Sequence, residues 1–147
     1  MMLRLRVFFA VFLGVAASAA CSRATPYRPV MTVKELMEAT VEPTADVVFG
    51  SAVWVNGELT GAPRNEAEWE NVEHHALTLA ETGNLLMMAP RARDQGLWMS
   101  QARDFILAAQ DAATAARSRD VNAMFKAGGA LVLACDSCHE HYPAVQN

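Results

Sequence analysis

The amino-acid sequence predicts an all-α protein, an antiparallel up-and-down bundle of four helices. Apolar residues recur at steps of three and four in four separate stretches, which is the period of one face of an α-helix. The connections between these stretches are short, as they are between neighbouring helices of a bundle. No stretch alternates β-branched and polar residues between turn signals, so no strand is predicted.

Residues 1–20 are predicted to form an export signal. Arg4 and Arg6 precede an apolar run that ends in small residues, and this order of segments is typical of a cleaved signal peptide. The run is shorter than the roughly 20 apolar residues that span a membrane, although an uncleaved anchor is the alternative. Export places the protein in the periplasm and its cysteines outside the reducing cytosol.

Cys21 directly follows Ala19 and Ala20, and this arrangement resembles a bacterial lipoprotein signal, in which the cysteine after the cleavage point is lipidated. Ser18 departs from the branched apolar residue that such signals prefer. The resemblance implies a lipid anchor that tethers the protein to a membrane without spanning it. The alternative is an ordinary signal peptide, which leaves Cys21 as a free thiol near the mature N-terminus.

The first helix is predicted to begin near Val33, after an extended leader at residues 21–31. Thr32 followed by Glu35 has the spacing of a capping box. The predicted seam steps by three and four along Val33, Met37, Val41, Thr44, Val48, Ala52 and Val55. Pro43 falls inside this run and is predicted to kink or split the helix, because it removes a backbone donor and crowds the preceding turn.

Three further helices are predicted over residues 65–89, 95–116 and 121–141. Asn65 with Glu68 repeats the capping spacing at the start of the second helix. The core is predicted to include the three tryptophans, Trp54, Trp69 and Trp98.

The composition predicts one acidic domain, at residues 32–147. The chain has 147 residues, of which 52% are hydrophobic and 19% charged, and this excludes a disordered chain. Without residues 1–20 it carries 10 Lys and Arg against 16 Asp and Glu, a net charge of -6. An acidic chain without a basic stripe argues against nucleic acid and anionic membrane surfaces as partners.

Cys135, Cys138 and His139 form a C-x-x-C-H sequence, the attachment motif of haem c. On a helix, positions i and i+3 lie on one face, so both thiols can reach the two vinyl groups of one porphyrin edge. His139 is adjacent and can bind the iron from one side. The predicted cofactor is therefore haem c with its iron, held by thioether bonds to both cysteines and by His139 as the proximal ligand.

Three other interpretations of the motif are less favoured. A zinc site needs four ligands and would require His141 as a cramped fourth. A thioredoxin-type redox pair belongs at a helix N-terminus within a βαβ unit, which is not predicted here. A structural disulfide between Cys135 and Cys138 would strain a single helical turn.

The last predicted helix resembles that of the class II cytochromes c, the cytochrome c′ family. The specific resemblance covers residues 120–142, with Ala127-Gly128-Gly129 ahead of Cys135 and Tyr142 after the motif. It extends loosely, through helix order and length, over the rest of the domain, and it implies a four-helix cytochrome. Pro143 is a departure, because the family often has a basic residue there.

The resemblance implies that a residue on the first helix determines the far side of the iron. High-spin members have a bulky apolar residue there, whereas low-spin members have a methionine that ligates iron. Met37 is the candidate distal ligand, and the alternative is that it fills the core. Met31 is a second candidate, and His74 or His75 would give bis-histidine ligation.

The predicted function is that of an exported electron carrier with one covalent haem c and a redox partner protein. No catalytic residues are predicted, so the protein is not expected to be an enzyme. The alternative is a five-coordinate haem protein that binds nitric oxide or carbon monoxide, and a third interpretation is a haem-free zinc or structural bundle. The family resemblance also implies a homodimer through the first two helices.

Overall fold

A computed structural model of the chain describes residues 27–144. The predicted signal peptide and Cys21 lie outside the described residues. This part of the chain is mostly helical, with four helices and one short hairpin. None of the helices within residues 27–144 is both long enough and apolar enough to cross a membrane.

The first helix is built from three consecutive segments: α1 (Val33–Leu36), a π-helical turn (Met37–Val41) and α2 (Glu42–Phe49). The predicted capping box is confirmed. The Thr32 hydroxyl accepts from the Glu35 backbone at 3.2 Å, and the Glu35 carboxylate accepts from the Thr32 backbone at 2.8 Å. Pro43 does not split the helix: the π turn stands directly before it, and Pro43 lies in the first turn of α2.

A two-stranded antiparallel hairpin follows the first helix, with β1 (Val53–Val55) and β2 (Glu58–Gly61). The prediction that the chain has no strand was wrong at this point. Asn56 and Gly57 adopt φ values of 52° and 82°, and two positive φ values favour a tight hairpin turn. The first helix ends at Phe49, so Ala52 and Val55 of the predicted seam lie outside it, and Trp54 is 42% exposed rather than buried in the core.

The remaining helices are α3 (Glu66–Met87), α4 (Leu97–Ser118) and α5 (Val121–His141). Asn65 caps α3 by accepting from the Glu68 backbone, as its spacing predicts. Helix α3 ends two residues before the predicted end, α4 lies two residues further along than predicted, and the bounds of α5 agree with the prediction.

The core lies where α4 packs between α3 and α5, while α2 packs against α3. Helix α4 contributes mostly alanines to it, which allow its neighbours to approach closely. The main cluster includes the fully buried Leu79, Met124 and Leu131. A separate small cluster of Leu36, Leu86 and Trp98 lies at the end of the molecule where α5 finishes, with Tyr142 packed against it.

Candidate functional site

The C-x-x-C-H motif lies in the last two turns of α5. Asp120 fixes the start of this helix by accepting from the Asn122 and Ala123 backbones at 2.9 and 3.0 Å. Cys135 and Cys138 are partly buried and carry free thiols, whereas His139 is exposed. The two cysteines are one helical turn apart and therefore lie on the same side of α5.

Two cavities lie beside the motif and share the lining residues Met37, Trp98, Cys138 and His139. The larger has a volume of about 660 Å³. This falls within the range of roughly 300–1,000 Å³ that is usual for small-molecule and cofactor sites. The smaller has a volume of about 40 Å³ and is also lined by Cys135. The structure therefore places both predicted attachment residues, the predicted proximal ligand and Met37 around two adjacent cavities.

The walls of the two cavities differ in chemistry. The smaller one is lined almost entirely by apolar side chains, including Val41, Leu86 and Phe105. The larger one carries charged groups at its edge, namely Lys34, Glu38, Glu42 and Arg93. Lys34 lies 3.8 Å from the Glu38 carboxylate, and Arg93 forms no ion pair within the part of the chain that the structure describes.

Burial raises the pKa of both cysteine thiols above the ordinary value, and the nearby Asp136 carboxylate raises that of Cys135 further. Both thiols are therefore protonated at neutral pH. A redox-active C-x-x-C pair has a lowered thiol pKa, usually at a helix N-terminus, whereas this pair lies at a helix C-terminus. The local electrostatics thus give no support to a thioredoxin-type interpretation.

Tyr142 connects the end of α5 to the start of α4. Its hydroxyl donates to the Asp94 carboxylate, and its ring meets the Trp98 ring edge-on at a centroid distance of 5.0 Å. Asp94 also accepts from the Gly96 and Trp98 backbones at 2.7 and 3.2 Å. Because one carboxylate bonds both elements, the turn that follows the motif is held against the start of α4.

Gln101, on α4, contacts the motif through its side chain. Its side-chain amide donates to the backbone carbonyl of Ser137, between the two cysteines, at 2.7 Å. Gln101 is only 5% exposed, and its Oε1 atom has no hydrogen-bond partner among residues 27–144. It also lines the smaller cavity, so a buried polar acceptor stands in an otherwise apolar wall.

The other candidate iron ligands lie away from the cavities. Met31 is 38% exposed and precedes the first helix. His74 and His75 lie on α3, and neither lines a cavity with the motif. Among the candidates for the far side of the iron, Met37 is the one that the fold brings to Cys138 and His139.

Sequence reasoning missed several residues that support the site, above all Asp94, Arg93 and the polar role of Gln101. Asp94 stands shortly before the apolar start of α4, which is a signal for a helix cap. Gln101 was visible as a polar residue on an apolar seam. Arg93 has no such local signal, because its place at the cavity edge depends on how α4 packs.

Within residues 27–144, no three His, Cys, Asp or Glu side chains cluster in a way that could hold a metal ion. No protein-family model matches the chain, and no curated protein or solved structure matches it either.

Proposed function

We propose that the protein is an exported c-type cytochrome that carries electrons with one covalent haem c. One observation supports this above the others: Cys138 and His139 line both cavities together with Met37, and Cys135 lines the smaller one. The residues present fit the cofactor. The two thiols are free and one turn apart, the histidine is adjacent, and the larger cavity has a volume of about 660 Å³.

The helix arrangement that we propose is an antiparallel up-and-down four-helix bundle. Helices α4 and α5 each span about 30 Å at 1.5 Å per residue. Residues 119–120 alone connect them, and the two helices pack against each other. A connection this short cannot return the chain along the length of α4, so the direction of α5 must reverse. We infer the same reversal between α3 and α4, which are joined by the nine residues 88–96 and also pack against each other.

In this proposal each side chain has a separate task. Cys135 and Cys138 would hold the haem through thioether bonds. His139 and Met37 would ligate its iron, through the imidazole and the thioether sulfur respectively. The haem iron, when bound, supplies a reversible one-electron change. A methionine ligand raises the reduction potential relative to a second histidine, and the apolar wall around Leu86 and Phe105 limits the access of water.

The proposal is tested by a pyridine haemochrome assay on protein produced together with the haem-attachment machinery. We expect one covalent haem per chain, a mixed or partial product from Cys135→Ala and Cys138→Ala, and none from the double variant. Asp136→Ala is the matched control, because it changes an exposed residue between the two cysteines and removes neither thiol. A wild-type chain without covalent haem contradicts the proposal.

A second candidate function is reversible binding of nitric oxide or carbon monoxide by a five-coordinate haem. It is favoured by the packing of Met37, which contacts both hydrophobic clusters and could serve as filler between them. Absorption spectra with and without carbon monoxide separate the two functions. A low-spin spectrum that becomes high-spin in Met37→Leu supports the carrier, whereas a high-spin wild type that binds carbon monoxide readily supports the gas-binding protein.

Export, anchoring and assembly complete the proposal. We infer a periplasmic protein whose signal at 1–20 is removed and whose Cys21 is lipidated, and mass spectrometry of the mature chain tests both. We assign no catalytic residues.

A homodimer would use apolar residues of the first helix and hairpin, where Val53 and Trp54 are exposed. Sedimentation of wild type and Trp54→Glu tests it, since a charge at that interface should give monomers.

A further inference from the structure

The buried residues of the first helix do not follow one helical period. Val41, Ala45 and Val48 are buried at steps of four and three, as expected for one face of an α-helix. The next buried apolar residue towards the N-terminus is Leu36, five positions before Val41 and only 2% exposed. Five residues turn an α-helix by about 500°, so in a regular helix Leu36 would lie about 140° away from Val41.

The π turn accounts for this spacing. The Glu42 backbone N–H bonds the Met37 carbonyl five residues earlier, which widens the helix by one residue at this point. The widened turn stands directly before Pro43. A regular α-helix would require the Ala39 carbonyl to bond a Pro43 N–H that does not exist, and it would place the proline ring against that carbonyl. The π turn avoids both problems.

The widened turn decides which side chain enters the core and which one lines the cavities. In a regular helix, Met37 would lie only about 40° from Val41, since four residues turn the helix by about 400°. It would then take the core position. In the structure Leu36 occupies the small cluster, and Met37 is moved to its edge, where it lines both cavities with Cys138 and His139.

We propose that Pro43 is a positioning residue for the distal side of the iron, because the π turn it imposes moves Met37 out of the core and into the cavity. This inference rests on the proposed haem site. Pro43 itself is exposed and lines neither cavity, so it acts through the backbone. π turns of this kind are rare in helices and are frequent at functional sites.

The test uses the full chain with haem attached and compares three variants. Pro43→Ala permits a regular helix with Met37 in the core, so we expect the low-spin spectrum to be lost and carbon monoxide binding to increase. The double variant combines Pro43→Ala with deletion of Ala39. It also gives a regular helix, and the deletion removes the one additional residue that the π turn accommodates. Leu36 then lies four positions before Val41 again, and Met37 returns to the cavity. We expect this double variant to recover the wild-type spectrum.

Pro63→Ala is the matched control, since Pro63 lies outside the helices and away from the motif. If Pro43→Ala acted only through a general loss of stability, the double variant would not recover the wild-type spectrum. A wild-type spectrum in Pro43→Ala, with its low-spin form retained, overturns the proposal.

A second measurement separates this inference from the proposed ligation. In the diamagnetic carbon monoxide complex of the reduced protein with methyl-labelled methionine, a Met37 methyl group that lies over a porphyrin is shifted upfield by the ring current, whether or not its sulfur ligates iron in the free protein. Met37→Leu identifies the signal. If the wild type is five-coordinate, ligation by Met37 is wrong, and the shift still tests the inference. It should be lost in Pro43→Ala and restored in the double variant, and a shift unchanged in Pro43→Ala contradicts the role of Pro43.

Discussion

Tyr142 and Asp94 form the polar contact that holds the turn after the haem motif. The hydrogen bond lowers the pKa of Asp94 below its ordinary value of 3.8 and raises the pKa of Tyr142 above its ordinary value of 10.0. Tyr142→Phe removes the bond and keeps the ring against Trp98. We expect a lower free energy of unfolding at neutral pH, because the carboxylate loses its donor.

The pH dependence of this effect has a defined sign. Since the pKa of Asp94 is lowered in the folded protein, its contribution to stability is present above the unfolded value and is lost as the pH falls through the folded value. The raised pKa of Tyr142 makes the contribution decline again in alkaline solution. Urea unfolding of wild type and Tyr142→Phe should therefore differ at pH 7 and converge in strong acid. A difference that persists in strong acid means that the ring, not the hydrogen bond, is affected.

Gln101 is the other polar residue at the motif, and its substitution should have little effect on stability. Gln101→Leu removes the hydrogen bonds from the Gln101 amide to the carbonyl and the hydroxyl of Ser137, and the carbonyl still accepts from the His141 ring at 3.0 Å. It also removes the buried Oε1 acceptor that has no partner within residues 27–144. Because these effects oppose each other, we expect the free energy of unfolding to change by less than about 1 kcal/mol.

The control for this substitution is Leu131→Ala, a change at a fully buried apolar residue. It should cost roughly 2–5 kcal/mol, since it leaves a cavity in the main cluster. Chemical denaturation of both variants measures the contrast. A loss in Gln101→Leu as large as that in Leu131→Ala would show that the hydrogen bond to the motif outweighs the cost of the buried acceptor.

At the scale of elements, the close approach of α3 and α4 depends on Gly83. A Cβ atom at Gly83 would collide with the Ile106 side chain and lie 3.1 Å from the Phe105 ring. We expect Gly83→Ala to lower the free energy of unfolding by about 1–3 kcal/mol, because α3 and α4 would have to separate. Gly129→Ala on α5 is the control, since a Cβ there meets no atom within 4 Å.

The control should change stability in the opposite direction. Alanine is a better helix former than glycine by up to about 1 kcal/mol, so Gly129→Ala should stabilise the protein. Thermal unfolding of the two variants measures both signs. Equal stability of Gly83→Ala and wild type would mean that α3 and α4 can separate without loss of packing.

The local features of the helices could be predicted from the sequence. Caps and apolar periods are local, so Thr32, Asn65 and the bounds of α5 were predicted correctly. The π turn was not, because Pro43 indicates a disturbance and only the tertiary packing of Leu36 shows how it is accommodated. The hairpin was missed although Asn56-Gly57 is a turn signal, because the apolar residues before it also fit a helical period. In the site, Met37 was predicted from the family resemblance, whereas the cavity edge could be seen only in the folded chain.

At the scale of the whole molecule, net charge and local charge differ. The chain without residues 1–20 has an excess of six acidic side chains. The edge of the larger cavity, by contrast, carries two bases, Lys34 and Arg93, and two acids, Glu38 and Glu42. Because the charges at the edge cancel, long-range attraction of a redox partner should follow the net charge, so a partner with a positive patch is favoured.

The acidic net charge predicts how the rate of electron transfer depends on salt concentration. The reduced protein should react faster with a cationic cobalt complex than with ferricyanide at low ionic strength, once their driving forces are taken into account. Added salt should slow the first reaction and accelerate the second, since charges separated by more than about 10 Å are screened at 0.1 M. Stopped-flow rates at several salt concentrations measure both slopes. Arg93→Glu, at the cavity edge, and Arg103→Glu, away from it on α4, make the same change of net charge, so both should steepen the slope with the cation equally. If the two variants have equal slopes, net charge alone steers the reaction; if the wild type reacts faster with the anion, the bases at the cavity edge outweigh the acidic surface.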